Sequence, residues 1–396
     1  MPTLASRPSP SSSTLSQLES RGVPIESLLE ACKACSDDCD DQDDVDPYPR
    51  GFDVDMESEM LGSFKGFSRQ VVISTGKSDW DREVTEIPNS FAQLLRQESE
   101  SKPPVQGEGE GSKTPSFLGN LARKFSSSVS ISNSSSPSSS SPSETPTPGL
   151  NPSILTSPIS APTNLSILNS SFVSNSHSHD RESIMIFPDY KVVHEVVSNS
   201  SKHAKQVYKR YLDPSNQTRF NPSSSLSDSD SEQEEEGGSL KSWPLPYKAV
   251  ILLCSHKKRD KRCSIAAPLL LNQFHHHLSS HSLIVDTSGE DLDSTTPIES
   301  LEEGGEELEK VLKQIGKESD RVGIFMVSHI GGHKFSGNVV IHFPNGTCLY
   351  YGRVTPADVG VIVDRTIING KVIPEFLRGG LGIDGKNKGT KGILDW

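Results

Sequence analysis

From about residue 99 to residue 182 the chain is dominated by Ser, Pro, Thr and Asn, as in the run S-S-S-V-S-I-S-N-S-S-S-P-S-S-S-S-P. Such a composition cannot bury enough apolar surface to offset the entropy of ordering it. Residues 99–182 are therefore expected to be a disordered insertion, and whatever folds must fold on either side of it. A second interruption, the acidic linker 214–242, contains S-D-S-D-S-E-Q-E-E-E and reads as a solvated charge run. Residues 1–25 read as a disordered leader. These tracts explain why only 32% of the 396 residues are hydrophobic, low for one packed globule.

Two folded regions remain. Residues 26–98 and 183–213 are expected to be halves of a small α/β domain split by the insertion. Residues 243–381 form a second domain, followed by a flexible tail over 382–396. In the first, Val71–Thr75 and Ser183–Phe187 are strand candidates, and Tyr190–Val197 reads either as a third strand or as the start of a helix. Phe91, Leu94 and Leu95 recur at helical spacing, as does the basic segment Lys202–Leu212. In the second, Ala249–Leu253 and Gly323–Val327 are continuous apolar runs, the pattern of strands buried on both faces. Helices are predicted over 264–279 and 305–316. Pro344-Asn345-Gly346 separates two short strands as a hairpin turn, and Thr355-Pro356 opens a last helix. The order β-α-(β)-α-β-β-β-α is close to a thioredoxin-like sheet covered by helices.

A formal net charge of −13 argues against a general nucleic-acid binder. No apolar run approaches the length of a membrane span. Residues 1–18 are Ser-rich and free of acids, a faint likeness to a transit peptide. Arg7 is their only basic residue, however, and Pro2, Pro8 and Pro10 oppose a helix. Six cysteines in a chain this long do not make a disulfide framework and suit a reducing compartment. Cys32, Cys35 and Cys39 have a C-x2-C-x3-C spacing but no fourth soft ligand nearby. Asp37 and Asp38 oppose thiolate formation there, so reduced loop thiols are the expectation.

The chemistry concentrates in C-S-H-K-K-R-D-K-R-C, Cys254–Cys263, and H-I-G-G-H, His329–His333. Each follows an apolar strand, and strand ends are where α/β folds place functional loops. Cys263 falls at a helix start, where free N–H groups favour a thiolate, and the Lys257–Arg262 run adds positive charge. Gly331 and Gly332 remove side chains where a bulky group must approach the backbone. Two Cys and two His suit either a closed zinc site or a 2Fe-2S cluster, and spacing alone prefers neither. His256, two residues from Cys254, competes weakly as a ligand, and Cys348 reads as packing.

Beyond these residues, C-S-H-K-K-R-D-K-R-C, H-I-G-G-H-K-F-S-G-N-V-V-I, Y-Y-G-R-V-T-P and the R-G-G at Arg378 resemble the sucrase/ferredoxin-like family. The likeness is strong over about 245–382. It is weak in the N-terminal half, through C-S-D-D-C and V-V-I-S-T-G-K-S-D-W. It implies a thioredoxin-like ferredoxin domain whose 2Fe-2S cluster is held by Cys254, Cys263, His329 and His333. It also implies a single-electron carrier in cellular redox homeostasis rather than a stand-alone enzyme. Exposed second ring nitrogens would couple reduction to proton uptake. Leu394-Asp395-Trp396 resembles the C-terminal tripeptide read by the cytosolic iron–sulfur assembly machinery, an aliphatic, an acid and a terminal aromatic. That implies this machinery as a partner and a cytoplasmic location, with the redox partner unspecified. The competing function is a zinc-stabilised interaction module with partner-recruiting arms; a weaker one is a thiol oxidoreductase using Cys32, Cys35 or Cys39.

Overall fold

Short β-branched runs become strands here because pairing on both sides buries their backbone as well as their side chains. The computed structural model describes residues 9–33, 48–101, 164–176, 178, 180–213, 240–290, 292, 296–301, 305–383 and 394. The strands are β1 (Arg69–Ser74), β2 (Leu165–Ser170), β3 (Arg181–Phe187), β4 (Lys191–Val197), β5 (Ser242–Pro244) and β6 (Ala249–Cys254). They continue with β7 (Ile284–Asp286), β8 (Arg321–Val327), β9 (Val339–His342), β10 (Cys348–Tyr351) and β11 (Leu377–Leu381). The α-helices are α1 (Ser12–Ser20), α2 (Leu28–Lys33), α3 (Phe91–Glu100), α4 (Ser201–Val207), α5 (Lys261–Ser280), α6 (Gly305–Glu318) and α7 (Val359–Ile362). One sheet runs in the order β11-β10-β9-β6-β8-β2-β1-β3-β4-β5, with β7 also paired to β8.

Within it, β8 and β6 are parallel, while β9 runs antiparallel to both β6 and β10. With α5 and α6 between β6 and β8, and α7 after β10, this is the thioredoxin-like arrangement expected from the sequence. Successive residues of β6 face opposite ways. Ala249, Ile251 and Leu253 join a core with Leu270 and Phe274 of α5 and Ile362 of α7. Val250 and Leu252 join a second core with Leu308 and Leu312 of α6. Each fully buried aliphatic or aromatic side chain contributes about 1.5–3 kcal/mol, so helices on both faces hold this part of the sheet.

The two expected halves share the sheet at two places: Ser170 of β2 pairs with Val327 of β8, and Lys191 and Val192 of β4 pair with Pro244 and Trp243 of β5. The second core also spans them, joining Val72, Met185 and Phe187 to Val250, Phe325 and Val340. Gln70 of β1 bridges the halves with hydrogen bonds to His342 of β9 (2.9 Å) and Tyr350 of β10 (2.8 Å).

Three stretches differ from the expectations. Residues 12–20 of the expected leader form α1, because Ser11 caps it by accepting from Thr14 N (3.2 Å) and Leu18 inserts fully into the first core. Leu165–Ser170, inside the expected insertion, is β2, held by β1 along its whole length. Arg181–Phe187 likewise starts two residues before the boundary at 183. Residues 102–163 and 214–239, the greater part of the expected insertion and linker, lie outside the described residues.

His342 makes the fold acid-sensitive. It stacks on Phe187 with centroids 3.9 Å apart, donates through Nε2 to Gln70 Oε1, and is pushed down by burial from 6.5 to about 3. Above pH 6.5 the ring is neutral folded and unfolded, and its contribution is whole. Between 6.5 and about 3 only the unfolded chain binds the proton, so stability falls with pH by about 1.4 kcal/mol per unit. His342→Gln should flatten the acid limb of stability against pH by one proton's worth, read by urea unfolding at pH 4 to 7. An unchanged slope contradicts the neutral buried ring.

Candidate metal centre

β6 and β8 are parallel neighbours in register from Ala249–Val322 to Cys254–Val327. Their C-terminal ends stop at one level, so the loops that follow leave the same edge of the sheet. One loop carries Cys254 and Cys263, the other His329 and His333. This register is why residues far apart along the chain meet. Backbone bonds tie the exits: Ser255 N donates to Val327 O (3.0 Å) and Cys254 N to Asn338 O (3.3 Å).

Asp260 caps α5 by accepting from Arg262 N (2.9 Å), which places Cys263 in the first turn. Both thiols are buried, Cys254 at 3% and Cys263 at 1% exposure. The Cys263 thiol holds the Cys254 thiol well below its ordinary range, against the opposing effect of burial; His329 and the Ile330 N–H add to it. Cys263 is correspondingly raised, first by giving its hydrogen bond to Cys254 and then by burial. The pair thus favours one thiolate, on Cys254, with Cys263 the donor. Ser336 Oγ lies 3.9 Å from Cys263 Sγ.

In the second loop Gly331 (φ 78°) and Gly332 (φ 67°) are both left-handed, which turns the chain back within four residues. The His329 and His333 rings come to 5.5 Å between centroids, tilted 41°. His329 Nδ1 is buried and has no hydrogen-bond partner among the described residues. Contacts therefore run Cys263 to Cys254 to His329 to His333. Among the described residues no three His, Cys, Asp or Glu form a group fit for a single ion. Two buried thiols, two imidazoles and a buried ring nitrogen without a partner are a donor set that fits an iron–sulfur group.

The surroundings were harder to foresee. His256, a weak competing ligand by sequence, is 1% exposed and acts as a strut. Its Nδ1 accepts from His329 N (3.2 Å) and its Nε2 donates to Trp80 O (3.0 Å), which fixes the tautomer. The loop before α3 grips the thiol loop further: Ser255 Oγ donates to Ser78 O (2.7 Å), and Lys257 N to Asp79 Oδ1 (2.9 Å). Lys258 pairs with Asp81, Arg259 with Glu83 and Arg262 with Asp260. The basic run expected to cradle the thiols thus has much of its charge met by carboxylates. Arg378 of β11 is instead the cation at the centre. A Cβ on Gly332 would collide with its guanidinium. The only sequence signal for this role was R-G-G itself.

Cys348 is buried in β10, consistent with packing. Cys32 falls in α2, but its side chain, Cys35 and Cys39 lie outside the described residues. In the tail, Leu394 packs half-buried against the first core, while Asp395 and Trp396 lie outside the described residues.

The fold and site define a mixed α/β protein with a thiol loop and an imidazole loop leaving one edge of its sheet. The chain belongs to the sucrase/ferredoxin-like family, whose model matches residues 60–379. Altered inheritance of mitochondria protein 32 of Clavispora lusitaniae is 28% identical over 228 residues, 57% of this chain and 68% of that protein. The protein of the same name from Debaryomyces hansenii is 36% identical over 135 residues, 33% of this chain and 36% of that one. Actin patches distal protein 1 of Saccharomyces cerevisiae is 34% identical over 122 residues, 31% of this chain and 30% of that one. The last two matches span about a third of those relatives. No solved structure matches the chain. The recurring name of the relatives points to mitochondria and overturns the cytoplasmic location expected from the sequence. Sparse basic charge in residues 1–18 and a terminal tripeptide do not by themselves set a compartment.

Proposed function

We propose that the protein is a mitochondrial electron carrier holding a 2Fe-2S cluster, with Cys254 and Cys263 on one iron and His329 and His333 on the other. The observation that carries this reading is the paired geometry: two buried thiols in contact, two imidazoles in contact, and His329 Nδ1 buried without a partner. A group with two metal centres asks for two pairs of ligands, and zinc would instead gather all four around one point. Bound there, the cluster would accept and return single electrons. The chain's part is to exclude water with the buried thiols, to hold His329 through His256 and to fix the loop ends through Asn338 and Ser336. The relatives' names support the location.

Protein purified without oxygen should contain iron and acid-labile sulfide in equal amounts, two of each per chain, with visible absorption. One zinc per chain and no sulfide would instead support the interaction module. His329→Cys should retain iron and sulfide but lower the midpoint potential by a hundred millivolts or more, on the order of the gap between imidazole-ligated and all-thiolate centres. An unmoved potential in a loaded variant would remove His329 from the ligand set.

A further inference from the structure

Among the described residues Arg378 heads the largest fully buried side chains, at 1% exposure. Its Nη1 donates to Asn338 Oδ1 (2.7 Å) and Gly331 O (3.3 Å), its Nη2 to Ser63 O (3.2 Å) and its Nε to Ser63 Oγ (3.2 Å). All four acceptors are neutral oxygens. A cation buried this deeply is costly unless an anion faces it. Burial pushes its pKa down, and Tyr350, Cys254 and Cys263 oppose that shift. Burial pushes the Tyr350 hydroxyl far up, so it stays a neutral phenol. Asn338, whose side chain accepts from Arg378, also accepts from Cys254 N through its backbone oxygen (3.3 Å), so a single residue separates the guanidinium from the thiol strand end.

We propose that Arg378 is a positioning residue that serves as the fixed counter-charge of the Cys254/Cys263 site, and that its charge raises the reduction potential of the centre held there. The second half rests on the cluster reading above. Two ferric ions, two sulfides, two thiolates and two neutral imidazoles sum to zero charge. One electron from an external reductant leaves the site with one negative charge. A buried guanidinium nearby favours the reduced form over the oxidised, because the low dielectric around a side chain only 1% exposed leaves the attraction poorly screened. Its four hydrogen bonds hold it still, and the missing side chain at Gly332 lets it lie directly against the imidazole loop.

The test is a mediated dithionite titration of the full chain, purified without oxygen, in which dithionite is oxidised to sulfite as the centre is reduced. Arg378→Gln should lower the reduction equilibrium constant about tenfold, about 59 mV for one electron, with iron and sulfide retained. Arg378→Lys keeps the charge and should stay near wild type. Asn338→Asp supplies a carboxylate at the oxygen that Nη1 already touches and should move the potential the same way as Arg378→Gln. It decides the matter if that variant does not fold. Unmoved potentials in loaded neutralising variants overturn the role of Arg378 and leave the cluster standing. So does an Arg378→Lys shift as large as that of Arg378→Gln. A wild-type chain without iron and sulfide overturns the cluster, and the proposed role with it.

Discussion

Cys254→Ser, purified without oxygen beside wild type, is expected to lose iron, sulfide and visible absorption by about a hundredfold or more, at or above the upper end of what is typical for residues that only support ligands. Thiolate is the ligand form of cysteine, and Cys254 is the thiol whose pKa Cys263 and His329 push down. A serine hydroxyl in the same place ionises far less readily and is a harder donor for iron. The fold should survive, because Ser is smaller than Cys and Cys254 sits at the end of β6 rather than within either core. Cys348→Ser is the control. That thiol is equally buried but belongs to the second core, 4.0 Å from His342 Nε2 and away from the loops. It should lower stability slightly and leave iron and sulfide unchanged. Full iron and sulfide in Cys254→Ser would remove Cys254 from the site; equal loss in both variants would point to general destabilisation.

The ligand candidates were legible because each stands at the end of a run such as Ala249–Leu253, whose apolarity can only mean a strand covered on both faces. The hairpin at Pro344-Asn345-Gly346 was legible from turn chemistry, and it pairs β9 with β10 as expected. What escaped was structure made by partners rather than by local pattern. β11 reads L-R-G-G-L, and two glycines hide a strand that exists because β10 pairs with it. β2 lies at the end of a Ser/Pro tract and owes its conformation to β1. α1 is polar but for residues such as Leu18, which needs the first core to give it a place. The same holds at the centre. Local spacing named Cys254, Cys263, His329 and His333, but His256 and Arg378 act through Trp80, Ser63 and Asn338, which only the fold brings near. The basic run 257–262 shows the reverse error: its charge was plain, and two of the acids that meet it, Asp81 and Glu83, lie in another half of the chain.

Gly332→Ala should cost far more than Gly331→Ala, although the two residues are adjacent and have nearly the same backbone conformation. Both have positive φ, 78° at Gly331 and 67° at Gly332, so either substitution carries about 1–2 kcal/mol of left-handed strain. A Cβ at Gly331 meets nothing within 4 Å and should pay only that. A Cβ at Gly332 would occupy the position of the Arg378 guanidinium, whose planar head is enclosed by Ser63, Gly331 and Asn338 and cannot swing into solvent. Either the imidazole loop lifts or Arg378 surrenders hydrogen bonds, at about 1–3 kcal/mol for each buried group left unsatisfied. A total loss of about 2–5 kcal/mol follows for one such group, read as a lower urea midpoint against Gly331→Ala. Lifting the loop also moves His333 relative to His329, so Gly332→Ala should lose iron where Gly331→Ala keeps it. Equal unfolding midpoints for the two variants would mean that the guanidinium does not lie against Gly332, and the close packing of Arg378 on the imidazole loop would have to be abandoned.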